Sequence, residues 1–223
     1  MLARTPPIYS RAEYLSDAVI HVSGIAFALV GGPVLVTLAA LMVGDPGLVG
    51  ATGVYVVTLV AMLTCSALYN MVTVAAWKDV LRRIDQGAIY FKIAGTYTPF
   101  VILSGSHAGL FLTAIWGVAI GGTSLVLFAP GRFKWLAISA YLALGWAGVV
   151  GGGPLVWSLS GPVLVLLLIG GGLYTAGIAF LVWERMPFHN TIWHVFVLAA
   201  TAVCYAALVV ELLRKAGATA LPV

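Results

Sequence analysis

Hydrophobic residues along the chain gather into seven long runs, over residues 15–43, 48–72, 84–104, 108–128, 133–151, 160–183 and 190–213. Each is close to or above the roughly 20 residues that an α-helix needs to cross a bilayer. Breakers separate them: GDPG at 44–47, SGSH at 104–107, APGR at 129–132 and GGGP at 151–154. Backbone N–H and C=O groups find no water in hydrocarbon, so a spanning segment is either a helix or part of a closed barrel. Barrel strands alternate in polarity over runs of about ten residues, and no run here alternates. The pattern therefore predicts an all-α fold, a seven-transmembrane helix bundle forming a single integral membrane domain over residues 1–223.

Composition agrees. Of the 223 residues 62% are hydrophobic and 8% charged, against about 25% charged in a soluble domain. The mean hydropathy is +1.09. Once seven spans are subtracted, little chain remains for an extramembrane domain. The net charge of +4 sits in short connectors flanking apolar runs, which argues against a nucleic-acid surface. Cys65 and Cys204 both fall inside predicted spans, so an extracellular disulfide is not expected. The first apolar run is far longer than the 7–15 residues of a signal-peptide core, and is expected to be a retained helix.

Lysine and arginine orient the bundle. Arg4, Arg11, Lys78, Arg82, Arg83, Arg132, Lys134 and Arg185 all fall on one side of a seven-span topology, while Arg214 and Lys215 fall on the other. The N-terminus is expected to be cytoplasmic and the C-terminus external. Asp17 and His21 of the first run, Ser66 and Asn70 of the second, Asp85 of the third, and Asn190 and His194 of the last then share the cytoplasmic end. Three of these sets are i, i+4 pairs, each on one helix face. A single shared cavity is expected there.

Inside the third run, Asp85 and Lys92 lie on nearly the same face, roughly 10 Å apart along the axis. An ionisable group at that depth costs about 2.5–3.5 kcal/mol on insertion scales and usually faces the bundle interior. A direct or water-mediated Asp85–Lys92 charge pair is expected. Pro99 is expected to kink or end the helix, and Glu211, Arg214 and Lys215 to form a solvated helix end.

SALYN at 66–70, IDQGAIYFKIAGTYTPF at 84–100, GGGLYTAG at 170–177, PFHNTIWHVFVLA at 187–199 and AVIHVSG around His21 resemble the hemolysin III family, related to the progestin and adiponectin receptor group of seven-helix proteins. The resemblance covers nearly the whole chain. It implies S-x-x-x-H on the second helix, an Asp on the third and H-x-x-x-H on the last, with zinc held by three histidines and the Asp engaging a water. It also implies a bacterial inner-membrane location.

Ser66, Asp85 and His194 match that pattern, but Asn70 and Asn190 stand at the other two histidine positions, Gln86 follows Asp85, and Lys92 occupies a usually apolar position. The inherited zinc site is thus degenerate. His189 could rebuild it only from an unwound helix start, because five residues place it about 140° around the helix from His194; His21 is a further candidate ligand. Without zinc, Lys92 would balance Asp85, with Asn70 and Asn190 as hydrogen-bonding filler.

The expected function is that of a hemolysin III family membrane protein binding a membrane lipid, in a membrane-homeostasis role without strong metal-dependent catalysis. The alternatives are a zinc-dependent intramembrane hydrolase of lipid amides or esters, with Asp85 and Ser66 catalytic, and a channel or pore-forming cytolysin-like protein.

Overall fold

The computed structural model describes residues 10–105, 109–128, 134–151 and 153–220. These are almost wholly helical: α1 (Arg11–Leu38), continued by a π-helical turn over Ala39–Val43, then α2 (Pro46–Met71), α3 (Ala75–Ser104), α4 (Gly109–Phe128), α5 (Lys134–Gly151), a short α6 (Gly153–Ser158), α7 (Gly161–Val182) and α8 (His189–Ala220). The expected all-α architecture is present. Arg4 and Arg132 lie outside the described residues.

Local chemistry explains several boundaries. Ser10 caps α1 through a capping box, its hydroxyl accepting from Glu13 N at 3.2 Å while the Glu13 carboxylate accepts from Ser10 N at 2.9 Å. The carboxylate of Asp45 accepts from the backbone N–H of Gly47 and Leu48 at 2.7 and 3.2 Å, starting α2 with Pro46 in its first turn. Gly44, at φ 72°, supplies the left-handed residue that ends the preceding turn.

Three sequence expectations need correction. The third helix starts at Ala75, not near residue 84, so Lys78, Arg82 and Arg83 ride on its first turns. Of the two outcomes expected at Pro99, a kink or an end, the end does not occur: α3 continues to Ser104 with the proline inside it. A proline has no N–H to donate and its ring crowds the carbonyl four residues back, which costs about 3 kcal/mol inside a helix; the buried packing around Pro99 and Phe100 offsets this. Glu211 is not solvated: α8 runs on to Ala220, and Glu211 is fully buried between Ser160 Oγ at 3.2 Å and the Arg214 guanidinium.

Five helices are long and apolar enough to cross a membrane by length and composition: α1 with its π turn, α2, α4, α7 and α8. The other two long helices fall outside that group for separate reasons. The first, α3, carries six ionisable residues, Lys78, Asp79, Arg82, Arg83, Asp85 and Lys92. In α5 the apolar stretch is short, Trp135–Val150.

Neighbouring helices pack in chain order from α1 to α5, α7 packs on α8, and α8 closes back on α1. Between α5 and α7 contact is sparse. The central element is α3, which touches α2, α4, α5, α6 and α8. One core joins Leu35, Leu59, Phe100, Val163 and Leu208, and a second, on the other side of α3, joins Tyr90, Ala94, Ile115 and Ala119.

Gly95 lets α2 and α3 approach. A Cβ there would stand 2.0 Å from Thr58 Oγ1 and 2.9 Å from Thr58 Cβ. Thr58 is held by bonds to the carbonyls of Val54 and Tyr55, so it cannot swing aside freely. Gly95→Ala should therefore cost about 1–3 kcal/mol, the usual range for overpacking. A lowered thermal unfolding midpoint in detergent is the readout, and Thr58→Ala should restore part of it.

Candidate functional site

The polar residues singled out in the sequence converge at one end of the bundle. Asp17 and His21 come from α1, Ser66 and Asn70 from α2, Asp85 from α3, and Asn190 and His194 from the first turns of α8. Asp17, His21, Ser66 and His194 are all buried. The two imidazoles meet edge to face with centroids 4.4 Å apart.

Hydrogen bonds assign the tautomers. His21 Nδ1 lies 2.7 Å from the Asp17 carbonyl oxygen, which only accepts, so this nitrogen carries the proton. His194 Nδ1 donates to Asp17 Oδ1 at 2.8 Å. Both Nε2 atoms are then lone-pair acceptors, and both point at Ser66 Oγ, at 3.2 Å from His21 and 3.4 Å from His194. One hydroxyl has one proton to give. With both rings neutral, the two Nε2 atoms therefore share a single hydroxyl.

The two asparagines form a second tier. Asn190 Nδ2 donates to Asp17 Oδ2 at 3.0 Å and to Asn70 Oδ1 at 2.9 Å. Asn70 Nδ2 donates to the Ser66 carbonyl at 2.9 Å. Each amide thus fixes the backbone or carboxylate behind the histidine–serine cluster. Asp85 lies beside Ser66 and His194 and, with them, lines a cavity of about 310 Å³.

Asp17, His21 and His194 lie close enough to hold a metal ion, their ligand atoms falling within 4.8 Å of one another. The donor chemistry fits. A metal-ligating histidine characteristically donates its other ring N–H to a carboxylate or carbonyl, which orients the ring and leaves a lone pair for the metal. His194 and His21 both do this, so the neutral rings turn their Nε2 lone pairs toward the same point beside Ser66. His189, the first residue of α8, lies outside this grouping. Among the described residues the histidine set is therefore His21 with His194 rather than His189 with His194.

Lys92 is 4% exposed, inside the bundle, and does not pair directly with Asp85. Its Nζ donates to Tyr174 Oη at 2.6 Å and sits 4.7 Å from that ring's centroid. Tyr174 Oη is in turn 2.7 Å from Thr201 Oγ1. The direct form of the expected charge pair is absent: the lysine instead meets a neutral phenol, because α7 brings Tyr174 against it, while Asp85 lines the same cavity with Ser66 and His194. Sequence reading missed Tyr174 and Thr201. Both are polar residues within the apolar runs of α7 and α8, the same signal that picked out Asn70.

The cavity is strongly asymmetric. Ser66, Asp85 and His194 form its polar end and Lys92 lies partway along. The remaining wall is built by side chains such as Phe100, Trp146, Leu155, Leu159 and Leu168. Its flank lies where α5 and α7 meet sparsely, bridged by Trp146 Nε1 donating to Thr175 Oγ1 at 3.0 Å.

Comparison with known proteins adds the following. A family model described as Haemolysin-III related matches residues 11–205. The chain is similar to the Hemolysin-3 homolog of Bacillus subtilis (strain 168), 34% identical over 200 residues that cover 89% of this chain and 93% of that protein. It is also similar to Hemolysin-3 of Bacillus cereus, 34% identical over 197 residues, 86% of this chain and 89% of that one. Similarity extends to the Monocyte to macrophage differentiation factor of Homo sapiens, 31% identical over 167 residues, 70% of this chain and 67% of that protein.

Proposed function

The chain belongs to the haemolysin-III-related family and is an integral membrane protein of the bacterial inner membrane, and from that premise we propose that it binds a single-chain membrane lipid in its intramembrane cavity. The observation that carries this reading is the asymmetry of the cavity: one polar end at Ser66, Asp85 and His194, and a long apolar wall. At about 310 Å³ it lies at the small end of the roughly 300–1,000 Å³ typical of ligand pockets, which suits one acyl chain. A lipid would enter sideways between α5 and α7, where among the described residues Trp146–Thr175 makes the polar tie. In this reading α3 and α5 cross the bilayer with the five apolar helices. The basic residues Lys78, Arg82, Arg83 and Arg185 then keep the N-terminus and the polar end cytoplasmic.

The test is lipid content. Purified protein should retain a single-chain lipid identifiable by mass spectrometry after extraction. Gly171→Phe should lose most of it, because a Cβ at Gly171 already stands 3.4 Å from the Trp146 ring and a phenyl group would plug the gap. Protein that carries no lipid, or a variant as loaded as wild type, counts against the cavity as a lipid site.

The two convergent Nε2 atoms support a second reading, metal-dependent hydrolysis of a lipid ester or amide. His21 and His194 would hold zinc through Nε2, Asp17 would keep both rings oriented, and Asp85 would place its carboxylate on the cavity side. When bound, zinc supplies Lewis acidity and makes a neighbouring water acidic enough to attack an ester or amide near neutral pH. The apolar wall would align the acyl chain so that its carbonyl meets Ser66, and the surrounding side chains would exclude bulk water.

A further inference from the structure

We infer that Lys92 forms a second subsite in this cavity, one that takes the carboxylate of a single-chain fatty acid; the inference rests on the lipid-binding reading and names the ligand class. An ammonium group has three N–H donors and no acceptor. One of the three goes to Tyr174 Oη, at 2.6 Å, and the ring face lies 4.7 Å away. Phenol and ring are both neutral, so they solvate the charge without cancelling it. Lys92 is only 4% exposed and lines the cavity. A buried cation in that position needs a counter-ion or gives up its proton.

The protein does not supply that counter-ion directly. Among the described residues no ion pair joins Lys92 to an acidic side chain. Asp85, the acid nearest in sequence on the same helix, lines the same cavity with Ser66 and His194 and makes no direct ion pair with Lys92. Two N–H donors of Lys92 therefore remain for whatever occupies the cavity.

The surroundings select the ligand. Beyond Lys92, away from the histidines, the wall consists of side chains such as Phe100, Leu155, Leu159 and Leu164, with no further lysine or arginine among the described residues. A single positive charge matches a monoanion, and two N–H donors match the two oxygens of a carboxylate. The apolar wall then takes one hydrocarbon chain. The cavity of about 310 Å³ matches one hydrocarbon chain better than two, and the single charge matches a monoanion better than a dianion. The fatty acid would thus sit with its head at Lys92 and its chain along α3, α6 and α7. The histidine–serine cluster stays clear.

The experiment uses the full-length protein, stripped of lipid, in a non-ionic maltoside micelle, titrated with oleic acid and separately with oleyl alcohol, with binding read by native mass spectrometry at pH 8. Wild type should bind the acid at least tenfold more tightly than the alcohol. Lys92→Met should abolish that preference while leaving alcohol binding as it was, and Lys92→Arg should keep it. Equal binding of acid and alcohol by wild type, or a preference that survives in Lys92→Met, overturns the inference while leaving lipid binding intact. If wild type binds neither compound, the lipid-binding reading falls and takes the inference with it. Should Lys92→Met fail to fold, Tyr174→Phe decides: it leaves the ammonium in place, so the preference should persist, and its loss would refute the assignment.

Discussion

Replacing Asp17 by alanine is expected to lower stability by about 2–6 kcal/mol, because it strands two buried donors at roughly 1–3 kcal/mol each. The donors are His194 Nδ1–H and one N–H of Asn190, which reach the Asp17 carboxylate at 2.8 and 3.0 Å. Asp17 is fully buried, so water cannot take its place without opening the helix ends. At about 2–4 °C per kcal/mol for a chain of this size, the unfolding midpoint in detergent should fall by about 4–24 °C. Asp17→Asn should cost less, since its amide oxygen still accepts from one partner. The comparison also separates the carboxylate from His21, whose Nδ1 bonds the backbone carbonyl of residue 17 and keeps that bond in either variant. An alanine variant that melts with wild type would mean the Asp17–His194 bond does not hold α1 to α8.

The second large effect concerns metal. A ligand present at 100 times its dissociation constant and bound only by the folded state adds about 2.7 kcal/mol. Zinc added to chelator-treated wild type should accordingly raise the unfolding midpoint by about 5–10 °C, with elemental analysis showing one ion per chain. His21→Ala and His194→Ala should each remove the shift, because each deletes one of the two free Nε2 atoms near Ser66. His189→Ala should keep it, since that residue lies outside the grouping. Asp17→Asn should retain a weakened response, by about 10–100-fold in affinity, as expected when the group orienting a metal-ligating histidine is lost. The shift should shrink as pH falls, because protons compete with the metal for the ring nitrogens. A wild type indifferent to zinc leaves the metal-free lipid site as the surviving reading.

These two experiments bear on different parts of the same cluster. The Asp17 variants ask whether the polar network is a structural tie between the first and last helices. The zinc titration asks whether that tie also leaves an open coordination position. The network could hold the bundle together without ever binding a cation, and the asparagines favour that economy, since each satisfies its partners through neutral bonds.

Much of this molecule was legible in its residues one at a time. Apolar runs long enough to span a bilayer gave helices. The GDPG breaker at 44–47 marked where one helix ends and the next begins, because caps act within three or four residues of their own position, whereas the Ser10 cap of α1 went unread. The set Asp17, His21, Ser66, Asn70, Asp85, Asn190 and His194 could be gathered at one end because polar groups in an apolar chain are costly enough to be informative wherever they occur. What the residues could not settle was pairing. Asp85 and Lys92 share a face of α3, yet each found its partner on other helices, Asp85 beside Ser66 and His194 and Lys92 on Tyr174. Glu211 looked like a solvated end until the packing of α7 against α8 enclosed it with Ser160 and Arg214. Nor could spacing show that Asp17 would turn both histidines so that their free nitrogens meet. Periodicity and capping depend on neighbours along the chain, so they survive in the sequence. The direction of a side chain's lone pair depends on which helices lie across from it, and only the assembled bundle decides that.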